Sequence, residues 1–136
     1  MTIVVGYVPK PEGRAALRRA AAESELRSSK LVVVNSHHGG SNWDGEEARR
    51  FEQELEEVHR RLNEGGVENE VRTLVRGNSP AEDLIEVAAE ENAEFIVIGL
   101  RRRSPVGKLI LGSNAQEILL DAECPVLTVK ATSDDE

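Results

Sequence analysis

Four short stretches of the chain are almost continuously apolar: TIVVGYV (2–8), KLVVVNS (30–36), EFIVIG (94–99) and PVLTVK (125–130). Strands read this way when both faces are covered, because successive side chains on opposite faces then all meet protein. A fifth stretch, ENEVRTLVRG (68–77), alternates Val71, Thr73 and Val75 with charged neighbours. That alternation predicts an edge strand with one face in water. Between these runs the period changes to that of a helix. Residues 13–28 put Ala16, Leu17, Ala20, Ala21 and Ser24 on one face, and residues 46–64 place Ala48, Phe51, Leu55, Val58 and Leu62 in a stripe. Gly65-Gly66 stops the second helix. A third helix over 79–91 opens on Ser79 as N-cap, Pro80 at the first helical position and acids in the first turn, and turns Ala81, Leu84, Ile85 and Ala88 inward. A fourth over 113–122 is capped by Gly112 or Ser113 and buries Ile118, Leu119 and Ala122. The alternation β-α-β-α-β-α-β-α-β predicts a parallel sheet with helices on both faces and right-handed crossovers. Ligands of such sheets bind beyond the carboxyl ends of the strands, where strand order reverses.

Length and charge narrow the function. The 136 residues suit a single domain over 1–136 with a core large enough to stand without disulfides, and residues 131–136 read as a frayed acidic tail. A net charge of −8 argues against nucleic acid and anionic membrane as partners, and 3% aromatics against a base-stacking platform. No run reaches the ~20 apolar residues of a membrane span, no signal-peptide pattern is present, and the single cysteine, Cys124, fits a reducing compartment. The expected location is cytoplasmic.

One stretch runs against the acidic background. GLRRRSPVGKLILGSN (99–114) joins the fourth strand to the fourth helix and holds three glycines, three arginines and a lysine. It is not a Walker loop: aligned on Gly107-Lys108, the first glycine becomes Arg102 and the magnesium-holding hydroxyl becomes Leu109. Nor does the first β-α turn, GYVPKPEG, carry a dinucleotide fingerprint. Two readings remain open from the residues alone. In one, Gly99 allows close backbone approach to a ligand, Gly112-Ser113-Asn114 offers a helix N-terminus to an anion, and Arg101, Arg102, Arg103 and Lys108 add cationic donors. In the other, Gly112-Ser113 caps a helix and the arginines form a solvated turn.

The spacing Gly99-x2-Arg102-x9-Gly112-Ser113 resembles the Gly-x2-Gly-x9-Gly-Ser/Thr motif of the universal stress protein family. ECPVLTVK resembles that family's final strand, RGNSPAEDLIEVAAEENAEFIVIG its third strand, third helix and fourth strand, and PEGRAALRRAAAES its first helix. The resemblance implies a three-layer α/β fold, an open five-stranded parallel sheet of order 3-2-1-4-5 with four helices, of the adenine nucleotide alpha hydrolase-like kind. It also implies ATP or AMP at the switch point, with magnesium accompanying ATP, and a homodimer formed through the last strand, Val126, Leu127, Thr128, Val129 and Lys130. Carried over by position, Gly99, Gly112 and Ser113 take the phosphate positions with Asn114 next in line. Ile98 and Ser36 fall at the adenine and ribose contacts, and Tyr7 and Val8 at the strand end that holds the adenosine. Arg101 and Arg102 fill the middle of the motif. Two positions depart from the family: Val8 stands where an aspartate is usual, and Arg102 where the second glycine is usual. The implied function is a stress-response module that holds an adenine nucleotide without fast turnover. The departures favour an alternative, a dimeric interaction module without nucleotide. No general base or metal-binding carboxylate set accompanies the stretch, so no enzyme is expected, slow ATP hydrolysis being the minor alternative.

The remaining candidates read more simply. His37-His38 lack a third ligand at metal spacing and read as polar surface, His59 lies outside its helix's apolar stripe and reads as solvated, and Cys124 reads as a buried, inert thiol. Trp43, in a glycine-rich loop, either lids the cleft or packs beside it.

Overall fold

The computed structural model describes residues 1–8, 10–38, 45–76, 79–100, 102–103, 108–109 and 112–131. Its elements are β1 (Thr2–Tyr7), α1 (Pro11–Arg27), β2 (Lys30–His38), α2 (Gly45–Glu64), β3 (Asn69–Arg76), α3 (Pro80–Glu90), β4 (Phe95–Leu100), β5 (Arg102–Arg103), β6 (Lys108–Leu109), α4 (Ser113–Asp121) and β7 (Val126–Lys130). Five strands form one parallel sheet in the order β3-β2-β1-β4-β7. This is the expected 3-2-1-4-5 order, with β7 as the fifth strand. The order reverses between β1 and β4, where Val5 lies opposite Val97. β5 and β6 form a separate antiparallel ribbon inside the arginine-rich stretch, which sequence periodicity did not indicate because each strand has only two residues.

Alternation along β1 divides the core. Ile3, Val5 and Tyr7 pack with Ala16, Leu17, Ala20 and Ala21 of α1 and with Phe51 and Leu62 of α2. Val4 packs on the other face with Val32, Val34, Ile96 and Ile98 and with Ala81, Leu84, Val87 and Ala88 of α3. The alanine face of α1 therefore does what small residues allow, bringing a helix close to a sheet. Gly66, at φ 73°, takes the left-handed turn that ends α2, and the Val67 amide closes it on the Leu62 carbonyl at 2.7 Å.

Several expectations need correction. Leu119 is 40% exposed rather than buried: α4 is a short helix with only Ile118 fully inside, and Leu119 lies a further ~100° around it. Val71 is 44% exposed, because at the edge strand the covering helix leaves that side chain partly open. Val87, not foreseen, is core. His59 is exposed but engaged, its Nε2 meeting Asn63 Nδ2 at 2.9 Å and its Nδ1 meeting Asn69 across to β3. Cys124 is half-buried, and burial pushes its thiol up. Among the described residues no helix is long and apolar enough to cross a membrane, and no cluster of three metal-ligating side chains occurs. The side chains of His37 and His38, Trp43, and residues 132–136 lie outside what the structure describes.

Candidate functional site: a cleft at the switch point

The carboxyl ends of β1 and β4 open into a cleft of about 150 Å³. Its walls include Val8 after β1, Val34 of β2, Leu84 of α3, Ile98 of β4, and Asn114 and Ala115 of α4. Each position has a local cause. Even-numbered residues of β1 and β4 face the α3–α4 layer, which carries Ile98 into the wall. Gly6 leaves room for Leu84, whose Cδ2 would lie 2.9 Å from a Cβ at that position. Val8 is 42% exposed at the mouth.

The helix termini supply the polarity. α3 begins with a closed capping box: the Glu82 amide donates to Ser79 Oγ at 3.1 Å, and the Ser79 amide donates to Glu82 Oε1 at 3.3 Å. α4 begins differently. Gly112 caps it with no side-chain hydrogen bond, its first turn holds no acid, and the first intrahelical bond runs from the Gln116 amide to the Gly112 carbonyl at 3.0 Å. The amides of Ser113, Asn114 and Ala115 precede that bond, so this end presents N–H groups and positive dipole beside the cleft. No charged side chain lines the cleft among the described residues. An apolar slot beside an uncapped helix N-terminus can hold a planar apolar group with an attached anion.

The sequence-level candidates divide accordingly. Val8, Ile98, Gly99 and Asn114 line the cleft, and Gly112 and Ser113, the two residues before Asn114, are exposed. Tyr7 lines it only by position, because its side chain is in the opposite core. Ser36 sits in β2 opposite Leu74, and Arg102 in β5 opposite Leu109, but their side chains, and Arg101 altogether, lie outside the described residues. Gly99 needs a different reading. β4 continues past it to Leu100, and a Cβ at Gly99 would lie 1.9 Å from the Glu12 carbonyl oxygen. The backbone that approaches Gly99 is the first turn of α1. Gly13 plays the matching part, a Cβ there falling 1.8 Å from the Val8 carbonyl oxygen. Gly13 lines the cleft and was missed by the sequence reading; its place two residues after Pro11 in the first β-α turn was the available signal.

The model of the universal stress protein family matches residues 1–130. The chain belongs to that family. A universal stress protein of Mycolicibacterium smegmatis is 42% identical over 128 residues, covering 94% of this chain and 96% of that one. Among solved structures, a universal stress protein from Archaeoglobus fulgidus superposes with a TM-score of 0.75 at 39% identity, covering 96% and 98% of the two chains. A universal stress protein from the same organism, in complex with dAMP, gives a TM-score of 0.71 at 34% identity, with the same coverage.

In this member of the universal stress protein family, Tyr7 ties β1 to α2 rather than reaching the cleft. Its ring stacks on Phe51 with centroids 4.6 Å apart, and its hydroxyl donates to Glu54. Burial first, and then the bond to Glu54, hold the phenol well above its usual range. The folded state therefore keeps the Tyr7 proton where the unfolded chain loses it. The stability this contributes is complete below the unfolded phenol value and declines as pH rises above about 10. Tyr7→Phe is expected to cost about 1 kcal/mol at neutral pH, from the lost hydroxyl partner of Glu54. The gap to the parent should narrow above about pH 10. Urea unfolding of both proteins at pH 7 and pH 10.5 checks this; a gap independent of pH would rule out the buried phenol as its source.

Proposed function

We propose that this chain holds an adenine nucleotide in the switch-point cleft, with the base among Val8, Val34 and Ile98 and the phosphate at the Gly112-Ser113-Asn114 terminus of α4. The observation that carries this reading is the start of α4 at the cleft: α3 is closed by its own capping box and α1 carries Glu12 in its first turn, whereas α4 begins with neither a side-chain cap nor an acid. The dAMP complex of the Archaeoglobus fulgidus relative supports adenine as the base. AMP or ATP is the proposed cellular ligand. No carboxylate lines the cleft among the described residues, so these residues do not fit magnesium, and no step is routed through it. The proposed role is stress response by a cytoplasmic binding module rather than an enzyme. Calorimetric titration with AMP, ADP and ATP tests the binding. Heats that saturate at micromolar to low millimolar ligand support it, and their absence at millimolar ligand favours the interaction module that takes no nucleotide.

The same reading includes a homodimer through β7. This strand pairs only with β4 among the described residues, and its Leu127 is 36% exposed. An open parallel edge offers unpaired backbone groups to another strand. Thr128→Asp is expected to convert the dimer to monomer by light scattering; an unchanged mass would move the interface elsewhere.

A further inference from the structure

Glu54 of α2 is joined to two pieces of backbone that border the cleft, and it reaches them from the opposite layer of the fold. Its Oε2 accepts the Tyr7 hydroxyl, and its Oε1 lies 3.8 Å from Arg14 Nε. The Arg14 and Glu54 side chains are 13% and 24% exposed, so salt screens this pair less than an open one. Arg50, one turn earlier on α2, approaches the same oxygen at 4.0 Å. Tyr7 and Gly13, the residue before Arg14, line the cleft, and Glu54 does not. The backbone carries these contacts to the cleft mouth. The Lys10 amide donates to the Val8 carbonyl at 2.8 Å, and the Arg14 amide to the Lys10 carbonyl at 3.0 Å. A Cβ at Gly13 would fall 1.8 Å from the Val8 carbonyl oxygen, so the two segments meet main chain to main chain. The Tyr7 ring, stacked on Phe51, is held by α2 from a second side. One carboxylate thus fastens the end of β1 and the start of α1 together.

We infer that Glu54 is a positioning residue for the cleft, setting the spacing of Val8 and Gly13 at its mouth without touching the ligand. This role rests on the cleft being the nucleotide site. Its sign separates it from two simpler effects. By Coulomb's law alone, removing a negative charge favours an anionic ligand, whereas loss of positioning weakens binding. Lower stability alone does not weaken binding either, because a chain that loses one partly buried contact stays almost wholly folded.

Calorimetric titration with AMP and amide chemical-shift mapping of the ligand-free full chain test it together. Glu54→Ala should bind AMP about fivefold more weakly than the parent. Glu54→Gln, which keeps an acceptor for the Tyr7 hydroxyl, should recover part of that loss. Glu57→Ala removes an exposed acid one turn further along α2 and should leave the affinity within about twofold. Without ligand, Glu54→Ala should shift the Val8 and Gly13 amides and leave those of Ser113 and Asn114 in place. If the parent binds AMP, equal or tighter binding by Glu54→Ala, or equal weakening by Glu57→Ala, overturns the role. If the parent binds no AMP, the nucleotide reading fails and the shift map decides alone. Changes confined to α2 and Tyr7 then overturn the positioning role, and changes at Val8 and Gly13 support it.

Discussion

Gly13→Ala and Gly99→Ala are each expected to lower stability by about 3 kcal/mol, the upper range for overpacking a closed site. A methyl group at either position would fall within 2 Å of a backbone carbonyl oxygen, of Val8 in one case and Glu12 in the other. Main chain cannot rotate aside as a side chain does, so relief requires lifting the start of α1 from β1 and β4. Those strands are the two at the switch point, and Val8, Gly13 and Gly99 all line the cleft. Gly112→Ala provides the contrast. Among the described residues nothing lies within 4 Å of the added atom and φ is −70°, so its effect on stability should stay within about 0.5 kcal/mol. Urea midpoints of the three variants measure the difference. A loss below about 1 kcal/mol for both Gly13→Ala and Gly99→Ala would mean that α1 is not seated as described.

These glycines also show what the sequence made legible. Strand identity followed from the runs at 2–8, 30–36, 94–99 and 125–130, because strands covered on both faces leave an unbroken apolar record; the order 3-2-1-4-5 came from the family resemblance alone. Residues that line a cleft leave less trace. Ile98 and Asn114, taken from motif position, line the cleft, but a motif gives no direction for a side chain. Tyr7 and Gly99 border the cleft through their backbone, but the Tyr7 side chain and the direction a Cβ would take at Gly99 face the other layer, since alternation turns each neighbour away. The contact between Gly13 and Val8 is close in sequence but depends on the folded path of the β1–α1 turn. Leu119 failed for a related reason. In a helix of nine residues a small shift of the inner arc exchanges a buried position for an exposed one.

Ser113→Asp should move stability and binding in opposite directions. An acid in the first turn of α4 meets the positive end of the helix dipole and should stabilise the fold by about 0.3–1 kcal/mol. The same carboxylate would occupy the place proposed for the nucleotide's phosphate, and like charges a few ångströms apart beside a low-dielectric slot should weaken AMP binding about tenfold or more. Thermal unfolding and calorimetric titration of one preparation give both signs. Ser113→Ala separates charge from the loss of the hydroxyl, and should cost binding only a few-fold, as one hydrogen bond does. A more stable Ser113→Asp protein that binds AMP as the parent does would place the phosphate away from α4. Loss of both stability and binding would show distortion rather than repulsion. The opposed signs are diagnostic because α4 lacks a cap of its own: the terminus that would gain from a fixed carboxylate is the one left open for a bound anion.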